Sequence, residues 1–176
     1  KGNKMELIIQ KAVELGATEI VPVEMKRCVV KLDRKKEESK LKRWNAIAES
    51  AAKQSKRIVI PEVTGVMSVK EVLAYAADFD LKLLPMMAES DVRLMPYENA
   101  EGMEGTRRIL ESIEPGESIA ILIGPEGGID EAEVEMAMKE KVEPITLGKR
   151  ILRTETAGMT VLSILVYLLE GRERTR

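Results

Sequence analysis

Apolar positions recur along the chain at the spacing of amphipathic helices, interrupted by short runs of β-branched residues. The spacing predicts a first helix that Asn3 and Glu6 cap and that Gly16 ends. The charged run Asp33–Lys42 predicts the start of a second, longer helix. The apolar stripe of this second helix comprises Leu41, Trp44, Ile47, Ala48, Ala51 and Ala52. Each of the two helices therefore has one face that can pack on a core.

Local start signals predict four further helices. Ser68 with Glu71, and Asp130 with Glu133, have the spacing of a capping box. Each pair therefore predicts the start of a helix. The two remaining predicted helices cover Thr106–Ile113 and the stretch from Thr154 or Thr156 to Gly171.

Six short runs predict strands because they are rich in β-branched or other apolar residues. They are Ile20–Val23, Cys28–Val30, Ile58–Val63, Leu81–Leu84, Ile119–Ile123 and Pro144–Leu147. The run Ile119–Ile123 is apolar throughout, which predicts a strand buried on both faces. Residues 86–105 show no period and are predicted to be a loop. Because strands alternate with helices, the predicted fold is α/β, with a mainly parallel sheet flanked by helices.

The composition excludes several kinds of active site. The chain has 176 residues, which suggests one domain with a core, and it contains no histidine. The absence of histidine excludes Ser-His-Asp and Cys-His catalysis and histidine-ligated zinc. The single cysteine, Cys28, can form neither an internal disulfide nor a cysteine-ligated metal site, so no metal is expected. The few aromatic residues argue against a base-stacking RNA platform.

Charge is distributed unevenly along the chain. Residues 1–60 carry 15 Lys and Arg against 8 Asp and Glu, whereas residues 61–176 carry 13 against 22. The basic part suggests a face that tolerates polyanions, although solvated helix faces would give the same counts.

No membrane or export segment is predicted. The longest apolar run, Val161–Leu169, is far shorter than the roughly 20 residues of a membrane span. The first residues lack the apolar region of a signal peptide. Together with the single cysteine, these features lead us to expect a cytoplasmic protein without a membrane partner.

The first segment with candidate chemistry is Ile123–Asp130, which reads Ile-Gly-Pro-Glu-Gly-Gly-Ile-Asp. It lies between a predicted strand and a predicted helix, where open α/β sheets bind ligands. Gly124, Gly127 and Gly128 would let a ligand approach the backbone closely. The segment is neither a Walker A loop nor a dinucleotide-binding fingerprint. A plain strand-to-helix turn that uses glycine for positive φ is the alternative.

The second segment is Leu147–Gly158, which also leads from a predicted strand into a predicted helix. The first turn of that helix offers free N–H groups and the positive end of the helix dipole. Arg153 and Glu155 lie where a cleft would form. The alternative is a polar loop with a threonine N-cap and a surface Arg–Glu pair that adds little stability.

Taken together, these segments resemble the late motifs of the ribosomal small-subunit RNA methyltransferase E family, within the SPOUT superfamily. The late matches are Gly124-Pro125-Glu126-Gly127-Gly128, Leu147-Gly148, Arg150-Ile151-Leu152-Arg153 and Glu155-Thr156-Ala157. Earlier matches are Lys11-Ala12, Glu14-Leu15-Gly16-Ala17-Thr18, Ile20, Pro22, Arg27, Arg43-Trp44, Ile47, Glu49, Ala51, Ala52, Gln54, Ser55, Arg57 and Pro61. The resemblance covers most of the chain.

The resemblance implies an activity, a fold and partners. Members of this family methylate N3 of a uridine in 16S ribosomal RNA with S-adenosyl-L-methionine, so 16S ribosomal RNA or the small ribosomal subunit is the implied partner. Their SPOUT-type catalytic domain is an α/β fold with a C-terminal trefoil knot, and superfamily members are usually homodimers. Full-length members also carry an N-terminal PUA-like RNA-binding domain. Residues 1–176 are therefore expected to form the catalytic domain alone.

The resemblance also implies which residues form the site. The predicted cofactor-binding residues are Leu84, Ile123, Gly124, Glu126, Gly127, Gly128, Leu147, Gly148, Ile151, Leu152, Arg153 and Thr154. Arg153 is predicted to stabilise negative charge that develops on the uridine or to orient it, and Glu155 to accept the N3 proton. An Arg–Glu brace of the knot is the alternative for this pair, and Glu126 is the alternative acid–base group.

Arg27, Gln54 and Arg57, in the basic first part of the chain, are predicted to contact RNA, since guanidinium groups bind phosphate bidentately. Intramolecular ion pairs are the alternative for these three side chains. Lys149 and Arg150 are predicted to face RNA as well.

Two other functions stay open at this point. One is a SPOUT RNA methyltransferase that acts on a ribose 2′-oxygen or on another base. The absence of an Asn-rich early motif disfavours the 2′-oxygen target. The other is an α/β nucleotide-binding module without catalysis, which would not account for the second segment.

Overall fold

The computed structural model describes residues 4–29, 34–78, 92–100 and 102–170. The helices of these residues are α1 (Lys4–Glu14), α2 (Arg34–Gln54), α3 (Val69–Asp78), α4 (Met103–Ser112), α5 (Glu131–Lys139) and α6 (Thr154–Glu170). The strands are β1 (Glu19–Ile20), β2 (Val23–Glu24), β3 (Glu62–Val63), β4 (Met67–Ser68), β5 (Val92–Pro96), β6 (Ile119–Ile121) and β7 (Glu143–Ile145). The predicted strand Leu81–Leu84, and with it Leu84, lies outside the described residues.

Every strand pair among the described residues is parallel. β1 pairs with β3, β2 pairs with β4, and a three-stranded sheet has the order β6-β5-β7. In that sheet, Leu94 of β5 lies opposite Ile121 on one side and Glu143 on the other. The structure thus confirms a mixed α/β fold with small parallel sheets flanked by helices.

The central strand of the largest sheet is one that the hydrophobic pattern missed. β5 lies within residues 86–105, which were predicted to be a loop, and α4 begins there as well, at Met103. Leu94 and Met95 are completely buried, whereas Ala120 of β6 is exposed. The prediction that Ile119–Ile123 is buried on both faces is therefore wrong. The position between two strands belongs to β5, and within the described residues β6 lies at the sheet edge.

The predicted strand Ile20–Val23 is also corrected. The chain forms two shorter strands, β1 and β2, which pair with different partners on either side of Val21 and Pro22. Pro22 has no N–H to donate to a ladder, but its carbonyl accepts a hydrogen bond from Met67 N at 3.0 Å. The predicted strand at Cys28–Val30 is wrong over its described residues, because Cys28 N closes a turn onto Met25 O at 3.0 Å.

Most of the predicted strand Ile58–Val63 is not a strand. Only its last two residues form β3. Lys56, with a φ of 59°, ends α2 in the left-handed region, and the side chain of Ile58 is then fully exposed. The first three residues of the run, 58–60, therefore lie outside the core between α1 and α2 and are not part of a strand.

The helix starts follow their local signals closely. Asp130 and Glu133 form a complete capping box at α5, with reciprocal side-chain and backbone hydrogen bonds. Ser68 and Glu71 make the corresponding contacts at α3, including Ser68 N to Glu71 Oε2 at 2.8 Å. Of the two predicted starts for the last helix, Thr154 is the correct one.

Three clusters of buried side chains hold the elements that position the site. One packs α1 on α2 through Ile9, Val13, Trp44, Ala48, Ala51, Ala52 and Val63. A second packs α4 and α6 on the three-stranded sheet through Leu94, Leu110, Ile113, Ile145, Val161 and Leu165. The third packs α3 and α5 with β5 and the first loop through Met25, Val69, Leu73, Met95, Ile129, Val134, Ala137 and Val142. Burying one such side chain contributes about 1.5–3 kcal/mol, so these clusters fix the strand ends that lead into the functional loops.

Candidate functional site

Three loops follow β5, β6 and β7, and they lie at the same end of the sheet, where the strands have their carboxyl ends. They comprise residues 97–100, residues 122–130 (the first loop) and residues 146–153 (the second loop). Backbone pairing continues into them, with Leu122 N bonded to Leu94 O at 2.8 Å and Tyr97 N bonded to Ile145 O at 3.0 Å. Parallel α/β sheets bind their ligands at this carboxyl end of the strands.

The first loop is packed closely against its surroundings. A Cβ built on Gly124 would lie 2.6 Å from Ile129 Cγ1, so no larger residue fits there without a shift. Gly128 has a φ of 73°, and a Cβ there would lie 3.0 Å from Glu98 Oε1. Gly128 N also donates to Pro125 O at 3.0 Å. These contacts support the alternative in which the glycines serve the turn itself.

Charged side chains from the turn after β2 hold the end of the first loop. Lys26 Nζ lies 3.0 Å and Arg27 Nη2 3.6 Å from Asp130 Oδ2, and Arg27 Nη1 donates to Gly127 O at 3.3 Å. The hydrogen bond from Lys26 is the main cause that lowers the pKa of Asp130, with help from the Ala132 N–H. Arg27 therefore makes intramolecular contacts with the first loop, which was the alternative to its predicted contact with RNA.

The second loop is anchored at its start and open beyond it. Thr146 N donates to Oγ1 of the buried Thr106 at 2.9 Å, and Gly148 N donates to Thr146 Oγ1 at 3.3 Å. The side chains of Lys149, Arg150 and Arg153 are exposed, and no hydrogen bond or ion pair joins them to another part of the described chain. Ile151 is 86% exposed. Positive charge and apolar surface are therefore both available in this loop.

Glu155 lies at the start of α6 with its side chain only 15% exposed. Its Oε2 atom is buried and has no hydrogen-bond donor within the described ranges. The Lys4 ammonium lies 3.8 Å from it, which is ion-pair distance and too long for a hydrogen bond. The predicted alternative, a pair between Arg153 and Glu155, is not formed among the described residues. Glu155 pairs with α1 instead.

Lys4 also reaches the first loop. Its Nζ donates to Glu126 Oε1 at 3.1 Å. The pKa of Glu126 is lowered, first by a hydrogen bond from the backbone N–H of Glu126 and then by the bond from Lys4. A side chain of α1 thus joins the first loop to the start of α6, which directly follows the second loop.

The remaining predicted RNA contacts lie at the end of α2. Arg57 Nη1 donates to Val13 O at 3.0 Å and also to Ala17 O, and its Nη2 donates to Gly16 O at 3.2 Å. This guanidinium caps the end of α1, which supports the intramolecular alternative for Arg57. Gln54 is exposed nearby on α2. In the part of the chain that the structure describes, no hydrogen bond or ion pair joins Gln54 or Arg57 to either loop.

Comparison with known proteins now decides the family. A family model for the RNA methyltransferase domain matches residues 1–166. The chain belongs to this RNA methyltransferase family. The match covers both loops and α1, and it confirms the resemblance seen in the late sequence motifs.

Related members of this family carry one recurring name. The chain is 42% identical over 171 residues to the ribosomal RNA small subunit methyltransferase E of Bacillus subtilis, and the match covers 97% of this chain. It is 36% identical over 163 residues to the protein of the same name from Mesomycoplasma hyopneumoniae, with 93% of this chain covered. The chain spans 63% and 64% of the lengths of these two relatives.

A solved relative has the same fold. The crystal structure of a ribosomal RNA small subunit methyltransferase E from Neisseria gonorrhoeae, bound to S-adenosyl methionine, superposes with a TM-score of 0.76 at 33% identity. The superposition covers 96% of this chain and 62% of that chain. In the described ranges of the present chain, no group of three or more side chains could hold a metal ion. No helix in those ranges has the length and hydropathy of a membrane span.

Sequence reasoning missed two charged residues of this candidate site. Lys4 lies more than 100 residues before its partners Glu126 and Glu155, and no local pattern connects them. Glu98 follows β5 and lies beside Gly128. The rule that ligand sites follow strand ends would have found Glu98 if the strand before it had been recognised.

An apolar groove beside the second loop was missed as well. It lies between α4 and α6 and has a volume of about 690 Å³. Leu147 and Thr156 form the end of the groove nearest the second loop, and Tyr167, which is 81% exposed, lies toward the other end of α6.

Proposed function

We propose that this chain is the catalytic part of an S-adenosyl-L-methionine-dependent enzyme that methylates N3 of a uridine in 16S ribosomal RNA. The observation that supports the proposal most is the likeness to the Neisseria gonorrhoeae relative, because that protein was solved with S-adenosyl methionine bound. The name shared by the relatives supports small-subunit ribosomal RNA as the substrate class. The uridine N3 target rests on the motif resemblance.

The two loops have features that suit such a cofactor. The buried Glu155 Oε2 has no hydrogen-bond donor within the described residues, so a donor on a ligand would satisfy it. A Cβ built on Gly148 would meet no atom within 4 Å, which leaves room beside this backbone. When bound, the cofactor supplies a methyl group on a sulfonium. We assign its binding to Ile123, Gly124, Glu126, Gly127, Gly128, Leu147, Gly148, Ile151, Leu152, Arg153 and Thr154.

Glu155 and Arg153 have separate roles in this proposal. The uridine N3–H is a weak acid, so its proton must leave before or during methyl transfer. Glu155 accepts that proton, since its carboxylate is shielded from water and lies at the start of α6. Arg153 is exposed and unpaired within the described residues, which leaves its guanidinium free to stabilise negative charge on the uridine oxygens.

A single substitution tests the role of Glu155. Glu155→Gln should lower methyl transfer at neutral pH by roughly 10²–10⁴-fold, with partial recovery at raised pH, where uridine ionises without a base. Glu49→Gln, which removes a carboxylate paired with Lys53 on α2, is the control. Near-normal turnover of Glu155→Gln at both pH values would exclude Glu155 as the base.

RNA binding is assigned to the free charges of the second loop and to the basic part of the chain. Lys149 and Arg150 are exposed and unpaired within the described residues, so both can reach phosphate. Arg27 and Gln54 keep the predicted role, whereas Arg57 acts chiefly through its bonds to the end of α1. The chain is expected to work in the cytoplasm, where the ribosomal RNA is.

The proposal includes three features of the whole enzyme. The first loop and the second loop form a C-terminal trefoil knot, residues 1–176 are the catalytic domain, and a PUA-like domain supplies further RNA contact in the longer relatives. Two copies form a homodimer through the apolar groove between α4 and α6, because an exposed Tyr167 beside a groove of this size fits a protein partner. Tyr167→Asp should then shift the mass measured by light scattering from dimer to monomer.

The product of the reaction tests the proposed function directly. The chain is incubated with small-subunit ribosomal RNA and methyl-labelled S-adenosyl-L-methionine, and the digested nucleosides are identified by mass spectrometry. Labelled 3-methyluridine is the expected product. A ribose 2′-O-methyl product would favour the other SPOUT reaction, and cofactor binding with no product would favour a module without catalysis.

A further inference from the structure

Lys4 connects three elements that are far apart in the chain. From the first turn of α1, its ammonium lies 3.1 Å from Glu126 in the first loop and 3.8 Å from Glu155 at the start of α6. The Glu126 side chain is 50% exposed, whereas the Glu155 side chain is 15% exposed. One lysine thus links a half-exposed carboxylate of the first loop to a largely buried carboxylate of α6.

We propose that Lys4 is a positioning residue of the cofactor site, whose ammonium fixes the first loop relative to the start of α6. The inference rests on the proposed function, because it takes these two elements as cofactor-binding. It adds a residue outside both loops that determines their geometry.

The charge arrangement explains why a cation is needed there. Glu126 and Glu155 share this ammonium, and no other salt bridge reaches either of them from the described residues. The positive end of the α6 dipole favours the Glu155 carboxylate, but no hydrogen-bond donor in those residues reaches its Oε2 atom. Removing the partner of a buried charge costs more than the pair itself contributes. The position of Glu155 therefore depends on Lys4.

The position of α1 does not depend on Lys4. Ile9 and Val13 are completely buried in the cluster that packs α1 on α2. Arg43 of α2 adds an ion pair to Glu6 at 2.8 Å. Replacing Lys4 should therefore leave α1 in place and disturb only the contact between the first loop and α6.

Three variants of the chain test this role. Lys4→Met removes the charge and keeps the length of the side chain, and Lys4→Arg keeps the charge. Lys11→Met is the matched control, because Lys11 lies on the same helix, is 36% exposed against 39% for Lys4, and pairs with Glu14 within that helix at 2.7 Å. S-adenosylhomocysteine binding is measured by calorimetry, and amide hydrogen exchange is measured without ligand.

The expected results separate positioning from general stability. Lys4→Met should weaken S-adenosylhomocysteine binding by roughly fivefold or more and speed amide exchange in residues 126–128 and 154–158. Lys4→Arg should restore both, and Lys11→Met should change neither. Wild-type affinity and wild-type exchange in Lys4→Met would overturn the inference.

Two further outcomes keep the inference distinct from the proposed function. Faster exchange with unchanged affinity would show that Lys4 joins the first loop to the start of α6. It would also show that the geometry of these two elements does not determine cofactor binding, which overturns the inference as well. If the folded wild-type chain does not bind S-adenosylhomocysteine, the cofactor assignment itself fails, and the inference fails with it.

Discussion

The two loops at the sheet edge differ in how firmly the rest of the chain holds them. The first loop is held by the Lys4–Glu126 pair, by the Arg27 bond to Gly127 O, and by the Lys26–Asp130 pair. The second loop is held at Thr146, and beyond it three basic side chains are unpaired within the described residues. One loop makes its contacts inside the protein, and the other presents its charges outward.

This difference changes what the glycines of the first loop mean. Gly124 and Gly128 lie against Ile129 and Glu98, so the turn requires glycine whether or not a ligand is bound. Arg153 of the second loop has no such structural explanation. The glycine-rich motif of the first loop therefore marks where the site lies. The unpaired charges of the second loop indicate which chemistry that loop can perform.

The largest effect expected to separate the two loops is on catalysis and comes from the second loop. Arg153→Ala should lower the methyl-transfer rate by roughly 10²–10³-fold, because the role proposed for Arg153 is to stabilise the negative charge that develops on the uridine. Its free energy of unfolding should stay within about 0.5 kcal/mol of wild type. Arg108→Ala, which removes an exposed arginine from α4, should change neither quantity. If Arg153→Ala lost activity only to the extent that it unfolded, Arg153 would have a structural role. The second loop would then be structural, as the first loop is.

The next largest effect is on stability and comes from the first loop. Gly124→Ala should destabilise the chain by about 1–3 kcal/mol, because the new methyl group would lie 2.6 Å from Ile129 Cγ1. Gly105→Ala is the control: its Cβ meets no atom within 4 Å, and in the first turn of α4 alanine should stabilise the chain by up to ~1 kcal/mol. Chemical denaturation measures both. A neutral Gly124→Ala would show that the first loop is less closely packed than the structure indicates.

A smaller effect is expected on RNA binding. Lys149→Ala should weaken binding to a small-subunit ribosomal RNA fragment and reduce the slope of log affinity against log salt by roughly 0.7–0.9. Lys139→Ala on α5 serves as the control for general charge. The same slope in Lys149→Ala and wild type would place the second loop away from RNA.

The smallest effect is a pH dependence in the first loop. The pKa of Asp130 is lowered in the folded chain, so its contribution to stability is present above the ordinary carboxyl pKa and is lost as the pH falls through the folded value. Asp130→Asn should therefore be less stable than wild type at pH 7, and the difference should shrink in acid. Asparagine keeps the oxygen that accepts from the Ala132 N–H, so the cap is retained in this variant. A difference that does not vary with pH would mean that the Asp130 charge, and so its pair with Lys26, is not the cause.

Features that depend on neighbouring residues were predictable from the sequence. The capping boxes at Ser68 and Asp130 and the start of α6 at Thr154 each depend on residues a few positions apart, and each is confirmed. The apolar runs Ile119–Ile123 and Pro144–Leu147 placed both loops after strands for the same reason. Local hydrogen-bonding chemistry is enough to determine such starts.

Features that depend on distant contacts were not predictable. β5 is a strand because β6 and β7 pair with it, although its own residues include Arg93 and Pro96. Ile58–Ile60 look like a strand but are exposed, because the turn at Lys56 leads them away from the core. The Lys4 contacts span more than 100 residues, and no spacing rule reaches that far.

The central claim is that the two loops form a binding site for S-adenosyl-L-methionine. Its most direct test is calorimetric titration of the purified chain with S-adenosylhomocysteine, with ATP and NAD as controls. Saturable binding of S-adenosylhomocysteine alone is predicted, with loss of that binding when the two loops are altered. No binding by a chain that melts cooperatively, or equal binding of ATP or NAD, would contradict the claim and favour a module without methyl transfer.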